Sequence, residues 1–211
     1  MISVSIESLD ALPLIAILRG LTPDEAVRVG EAIVGSGFLC LEVPLNSPEP
    51  LESIRRLRAA LDGRALVGAG TVLNVAAVRD VAEAGGQLII SPNTNIGVIR
   101  EAKASGLLSL PGFFTPSEAF AALEAGADAL KLFPAEVAGV RGLKAVRAVL
   151  PSQTRVYPVG GVDPDNVSTW RANGASGFGI GSALFKPGKS AEETGRDARA
   201  FVTAWTASSP A

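Results

Sequence analysis

The sequence predicts an α/β protein built as a single (β/α)8 TIM barrel, and three observations carry that expectation. A small-residue punctuation recurs before short apolar runs: Ser36-Gly37 before FLCLEVP, Gly85-Gly86 before QLIISP, Ser105-Gly106 before LLSLPG, Ala125-Gly126-Ala127 before DALKLFP, and Asn173-Gly174-Ala175 before SGFGIGS. The marker glycines at 37, 85, 106, 126 and 174 lie 48, 21, 20 and 48 residues apart, so the long intervals are about twice the short ones, as if one marker were missing in each. A period of about 20–24 residues is one helix plus one strand, with glycine supplying the left-handed turn that ends the helix. Helical apolar periodicity between the strands, as in AVRVGEAIVGSG and SEAFAALEAGA, completes the alternation.

In chain order the expected strands are Pro13–Leu18, Phe38–Pro44, Ala65–Ala69, Gln87–Ser91, Leu107–Leu110, Asp128–Phe133, Arg155–Val159 and Gly177–Ile180. Helix starts are signalled by Thr22-Pro23-Asp24-Glu25 and Thr115-Pro116-Ser117-Glu118, with Thr at the cap and Pro at the first helical position. Ser47-Pro48-Glu49 and Asp163-Pro164-Asp165 are expected to do the same. Residues 1–211 form one domain in this reading, with a short helical segment before the first strand and a frayed tail over Thr206–Ala211. A doubly wound open sheet is the alternative with the same alternation.

Composition narrows the chemistry. The 211 residues include no histidine and one cysteine, Cys40, at a net charge of −2. Zero His removes His-bearing zinc sites, Ser-His-Asp and Cys-His nucleophile systems, and imidazole bases. A lone cysteine makes no internal disulfide, and Cys40 reads as core filler. The acidic balance, with a pI of about 5.3, leaves no basic footprint for nucleic acid, and the Arg55-Arg56-x-Arg58 cluster fits a solvated helix face. No run approaches a membrane span and no secretory leader opens the chain, so a soluble cytoplasmic protein without a membrane partner is expected.

Catalytic groups of such a barrel sit at the carboxyl ends of strands, so polar residues inside apolar runs stand out. Four of the five lysines (103, 144, 186 and 189) fall in helices or loops, where solvation is the plain reading. Lys131 instead interrupts Ala129-Leu130-Lys131-Leu132-Phe133, on the face opposite the leucines and therefore pointing into the barrel. A desolvated lysine has a depressed pKa and the neutral amine that Schiff-base chemistry needs; a salt bridge inside the barrel is the competing reading. Glu42 interrupts Phe38-Leu39-Cys40-Leu41-Glu42-Val43-Pro44 in the same way. It is either the ion-pair partner of Lys131, a general acid/base tuned by burial, or both. Arg19 ends the first strand and suits a carboxylate or phosphate ligand, or pairing with Glu42. Thr71 offers a hydroxyl after the third strand. Glycine turns follow the seventh and eighth strands, at Pro158-Val159-Gly160-Gly161-Val162 and Gly179-Ile180-Gly181-Ser182, where barrels frequently bind phosphate through backbone N–H groups.

Taken in order, IAILRG, LEVPLNSP, VGAGTV, ISPN, LPGFFTPSEA, ALKLFPAE, PVGGV and GIGSALF resemble the class I 2-keto-3-deoxy-6-phosphosugar-acid aldolases over nearly the whole chain. The resemblance implies a homotrimeric barrel enzyme with no metal and no organic cofactor. It also implies Lys131 as the Schiff-base lysine and Glu42 as the general acid/base. Arg19, Thr71, Pro111 and Gly112 would hold the carboxylate end. Gly160, Gly161, Val162, Gly181 and Ser182 would hold the phosphate. The chain departs from the gluconate-type pattern at Pro44-Leu45-Asn46-Ser47 and Pro158-Val159-Gly160-Gly161. Both departures resemble the galactonate type, and they mark Asn46, Ser47 and Val159 as specificity positions, since Val159 lacks the hydroxyl a Thr would offer. The implied reaction is cleavage of 2-keto-3-deoxy-6-phosphogalactonate to pyruvate and glyceraldehyde 3-phosphate. The alternative is the same cleavage of the carbon-4 epimer, and a non-Schiff-base sugar-phosphate isomerase or binding barrel is more remote.

Overall fold

A computed structural model of the chain describes residues 4–208. A 3-10 turn, Ile6–Leu9, precedes alternating strands and helices: β1 (Leu14–Ile17), α1 (Pro23–Val34), β2 (Cys40–Pro44), α2 (Pro50–Leu61), β3 (Leu66–Gly70), α3 (Val75–Glu83), β4 (Leu88–Ile90), α4 (Ile96–Ala104) and β5 (Leu108–Leu110). The series continues with β6 (Gly112–Phe113), α5 (Pro116–Glu124), β7 (Leu130–Leu132), α6 (Ala135–Arg147), β8 (Val156–Pro158), α7 (Val167–Ala172), β9 (Phe178–Ile180) and α8 (Ala191–Ala207). The part of the expected frayed tail at 209–211 lies outside the described residues, whereas Thr206 and Ala207 belong to α8.

All strand pairs are parallel, but the expected closed eight-stranded barrel is not what they make. Six strands form one sheet in the order β5-β4-β3-β2-β1-β9, and three form a second in the order β6-β7-β8. The arrangement is an open α/β fold of two sheets, and the closed TIM barrel is corrected accordingly. Prolines explain both breaks, because proline brings no N–H to a ladder. Pro111 directly follows the fifth expected strand, so that β5 ends at Leu110 and pairs with β4 while Gly112 of β6 pairs with Lys131 of β7. Pro158 ends β8, and its contact with β9 shrinks to one isolated bridge, Val159 with Gly179.

The helix punctuation reads as expected at most places. All five marker glycines have φ between +72° and +111°, the left-handed conformation that glycine adopts without a Cβ penalty. Thr115 and Glu118 form a reciprocal cap, with the Thr115 N–H donating to Glu118 Oε2 at 2.8 Å and the Glu118 N–H to Thr115 Oγ1 at 3.4 Å. Two expected caps are corrected. Ser47 accepts the Gly20 N–H at 2.9 Å, and α2 starts after Glu49 instead. Asp163 Oδ1 accepts the N–H groups of Asp165 and Asn166, closing a turn ahead of α7 rather than capping the helix.

Packing splits by strand face. Leu41, Val43, Leu130 and Leu132 join the helices in the larger apolar cluster. Ile15, Cys40, Leu66, Leu88, Leu108, Ala129 and Tyr157 fill the smaller one on the opposite side. Space there is tight: a Cβ at Gly68 would fall 2.2 Å from the Leu88 carbonyl oxygen, a backbone atom that cannot step aside. Gly68→Ala is therefore expected to cost roughly 2 kcal/mol through overpacking, a fall of about 4–8 °C in Tm. An unchanged thermal unfolding midpoint would count against this packing. Among the described residues no helix is long and apolar enough to cross a membrane.

Candidate active site

Carboxyl ends of β1, β2, β7, β8 and β9 converge on a cavity of about 630 Å³. Lys131 and Phe133 line it from β7 and the loop that follows. Arg19 and Gly20 come from the end of β1, Asn46 from the turn after β2, and Val159 to Asp163 from the loop after β8. Gly181, Ser182, Lys186 and Pro187 come from the loop after β9. Below it lies a void of about 10 Å³ lined by Ile17, Glu42, Lys131, Tyr157, Val159 and Gly179. Lys131 and Glu42 therefore share one small chamber, and Lys131, Ile17, Val159 and Gly179 line the larger cavity as well.

Both groups are buried, Lys131 at 6% exposure and Glu42 at 1%. Burial pushes the Lys131 ammonium below the ordinary lysine range; the Glu42 charge opposes that shift and the Arg19 charge adds to it. Burial likewise raises the Glu42 carboxyl to about 7, against the counter-pull of Lys131 and Arg19. The salt-bridge reading of Lys131 is not realised: the described residues show no ion pair between Lys131 and Glu42, and Glu42 Oε2 has no hydrogen-bond partner. The Lys131 Nζ lies 5.0 Å from the centre of the Phe133 ring, a soft contact that leaves its donors free. An unpaired buried polar group is costly, and such cost is typically borne where chemistry needs it. Gly70 makes room for this arrangement, because a Cβ there would fall 1.5 Å from Glu42 Oε2. Cys40 is fully buried below, its thiol pushed up by desolvation, so it is a filler and no nucleophile.

Other expected site residues divide. Arg19 lines the cavity but does not pair with Glu42; its Nη1 donates to Asn46 Oδ1 at 2.6 Å. Asn46 thus sets the direction of the guanidinium, while Ser47 stays off the cavity wall and ties the two loops together through Gly20. Val159, Gly160, Gly161, Val162, Gly181 and Ser182 all line the cavity. Asn166 Nδ2 donates to the Gly161 carbonyl at 2.9 Å, which ties the glycine loop to the start of α7. Thr71, Pro111 and Gly112 are not on the cavity wall. Thr71 holds a left-handed φ of +57° directly after Gly70, a strained conformation for a β-branched residue. The Pro111 carbonyl accepts the Lys131 N–H at 2.9 Å and the Gly112 carbonyl accepts the Thr94 hydroxyl at 2.8 Å, so both brace β7 and its neighbour. Phe133, Asp163 and Lys186 were not anticipated on the wall.

A charged cavity at the carboxyl ends of parallel strands, floored by a desolvated amine and carboxyl, defines an α/β enzyme. Residues 5–196 match the family model "KDPG and KHG aldolase", and the chain belongs to that aldolase family. It is 49% identical to the 2-dehydro-3-deoxy-6-phosphogalactonate aldolase of Escherichia coli (strain K12), over 92% of this chain and 95% of that protein. A solved structure described as native KDPGal superposes with a TM-score of 0.91 at 49% identity, covering 92% of this chain and 95% of that one. The KDPG aldolase of Legionella pneumophila, solved with pyruvate captured as a covalent carbinolamine intermediate, matches at a TM-score of 0.80 and 25% identity, over 96% of this chain and 97% of that one.

Proposed function

We propose that this chain is a class I aldolase that cleaves 2-keto-3-deoxy-6-phosphogalactonate to pyruvate and glyceraldehyde 3-phosphate, with Lys131 as the Schiff-base lysine. The observation that carries the reading is Lys131 itself: an amine desolvated to 6% exposure, without an ion pair among the described residues, in a cavity also lined by a glycine loop. The neutral Lys131 amine adds to the keto carbon, and loss of water gives an iminium. That cation accepts the electron pair of the carbon 3–carbon 4 bond while Glu42, as carboxylate, takes the proton of the carbon 4 hydroxyl. Glyceraldehyde 3-phosphate leaves. The remaining enamine is protonated at carbon 3, and water hydrolyses the iminium to release pyruvate and the free amine.

Arg19, held by Asn46, is placed to meet the carboxylate end. Thr71, Pro111 and Gly112 support that end from behind the wall. Gly160, Gly161, Val162, Gly181 and Ser182 offer the phosphate a backbone and hydroxyl cradle. Val159 shapes the wall near carbon 4, where an apolar side chain replaces a hydroxyl donor. Asn46 acts on specificity through Arg19 rather than alone. The electron sink is supplied by the chain's own amine, so the mechanism calls on no metal or organic cofactor. Likeness to the family supports a homotrimer working in the cytoplasm as one domain, with sugar-acid phosphates as its small-molecule partners.

Pyruvate release from the two carbon 4 epimers, measured side by side, tests the substrate. The galactonate epimer is expected to give the higher kcat/KM, by about tenfold, the effect of one good polar contact. A preference for the gluconate epimer would overturn the assignment.

A further inference from the structure

We propose that Lys186, on the loop after β9, is the cation that grips the phosphate of the substrate; this rests on the reading above. The glycine cradle has backbone donors but no cation of its own, and the Glu136 carboxylate lies close against it: a Cβ at Gly160 would fall 1.8 Å from Glu136 Oε2. Of the charged side chains on the cavity wall, Arg19 is turned to Asn46 and Lys131 lies on the floor. Asp163 is turned into its own loop, its Oδ1 accepting from the N–H groups of Asp165 and Asn166. Lys186 remains, exposed at the mouth and without an ion pair or side-chain hydrogen bond among the described residues.

Its backbone is fixed although its side chain is free. The Leu184 and Phe185 N–H groups donate to the Gly181 carbonyl at 2.8 and 3.0 Å, and the Lys189 N–H donates to the Lys186 carbonyl at 3.1 Å. The Lys189 ammonium ties the loop to the Leu184 carbonyl and to Asp197 of α8. Pro187 packs so closely on Gly20 that a Cβ there would fall 2.5 Å from Pro187 Cγ. The loop is thus pinned between β1 and α8, with the exposed Lys186 on the cavity wall that Ser182 and the glycines also line. A flexible ammonium is a phosphate ligand that reaches its anion without fixed geometry.

Lys186→Ala and Lys186→Arg are compared with the parent chain on 2-keto-3-deoxy-6-phosphogalactonate and on its unphosphorylated counterpart. Lys186→Ala is expected to raise KM for the phosphorylated substrate about tenfold, with the change in KM and not in kcat, while Lys186→Arg restores most of the loss. Inorganic phosphate, titrated calorimetrically, is expected to bind Lys186→Ala about tenfold more weakly. KM rising equally for both substrates, or phosphate binding left unchanged, overturns the proposal. If the parent chain releases no pyruvate at all, the aldolase reading fails, and the phosphate titration still decides the role of Lys186.

Discussion

Lys131→Ala is expected to reduce pyruvate release by roughly 10⁴-fold or more, the scale on which losing a covalent nucleophile falls. No neighbour can substitute. Among the described residues the other cation nearest the reaction is Arg19, whose guanidinium offers only donors and is engaged with Asn46. Lys186 stands on the far loop at the mouth. Lys131→Arg should be as inactive as the alanine variant, because charge is not what the step uses. Circular dichroism shows whether each variant is folded, and steady-state pyruvate release reads the loss. Turnover within tenfold of the parent chain would remove Lys131 from the mechanism.

The second large effect belongs to Glu42. Its carboxyl must be ionised to accept the carbon 4 proton, and burial raises that ionisation to about pH 7. Lys131 must be neutral to attack, so both groups act by losing a proton and both place their limb on the acid side. Activity should therefore rise with pH through about 7, and the limb belongs to the pair. Glu42→Gln is expected to lower kcat by about 10²–10⁴, the range for a positioned acid/base. It should also displace the residual limb. The Glu42 charge props up the Lys131 pKa, so without it the amine deprotonates more readily and the limb moves to lower pH. A purely structural Glu42 predicts no loss of turnover in a variant that folds normally.

Those two residues were legible because each is a charge inside an otherwise apolar strand, and strand alternation says which way it points. The glycine-marked helix ends were legible for a similar reason, since a left-handed turn restricts the residue type. Closure of the barrel was misjudged from information present in the chain. Pro158 lies inside a run that reads as one strand and Pro111 directly after another, yet each removes a ladder donor, and two sheets result. Ser47 and Asp163 carry a capping composition that tertiary contacts use otherwise: Ser47 serves Gly20, 27 residues away. The Arg19–Asn46 pair, of the same separation, has no local signal at all. In sequence Lys186 reads as a solvated loop lysine; its one signal is its position four residues after Ser182, in the second glycine loop. Thr71, Pro111 and Gly112 sit close to the site in sequence terms but brace its walls.

The central claim, an imine at Lys131, is tested most directly by incubating the chain with pyruvate and borohydride and mapping the adduct by peptide mass. One reduced pyruvyl adduct is expected, on the peptide containing Lys131, and none in Lys131→Ala. An adduct on any other lysine, or one that persists in Lys131→Ala, would contradict it.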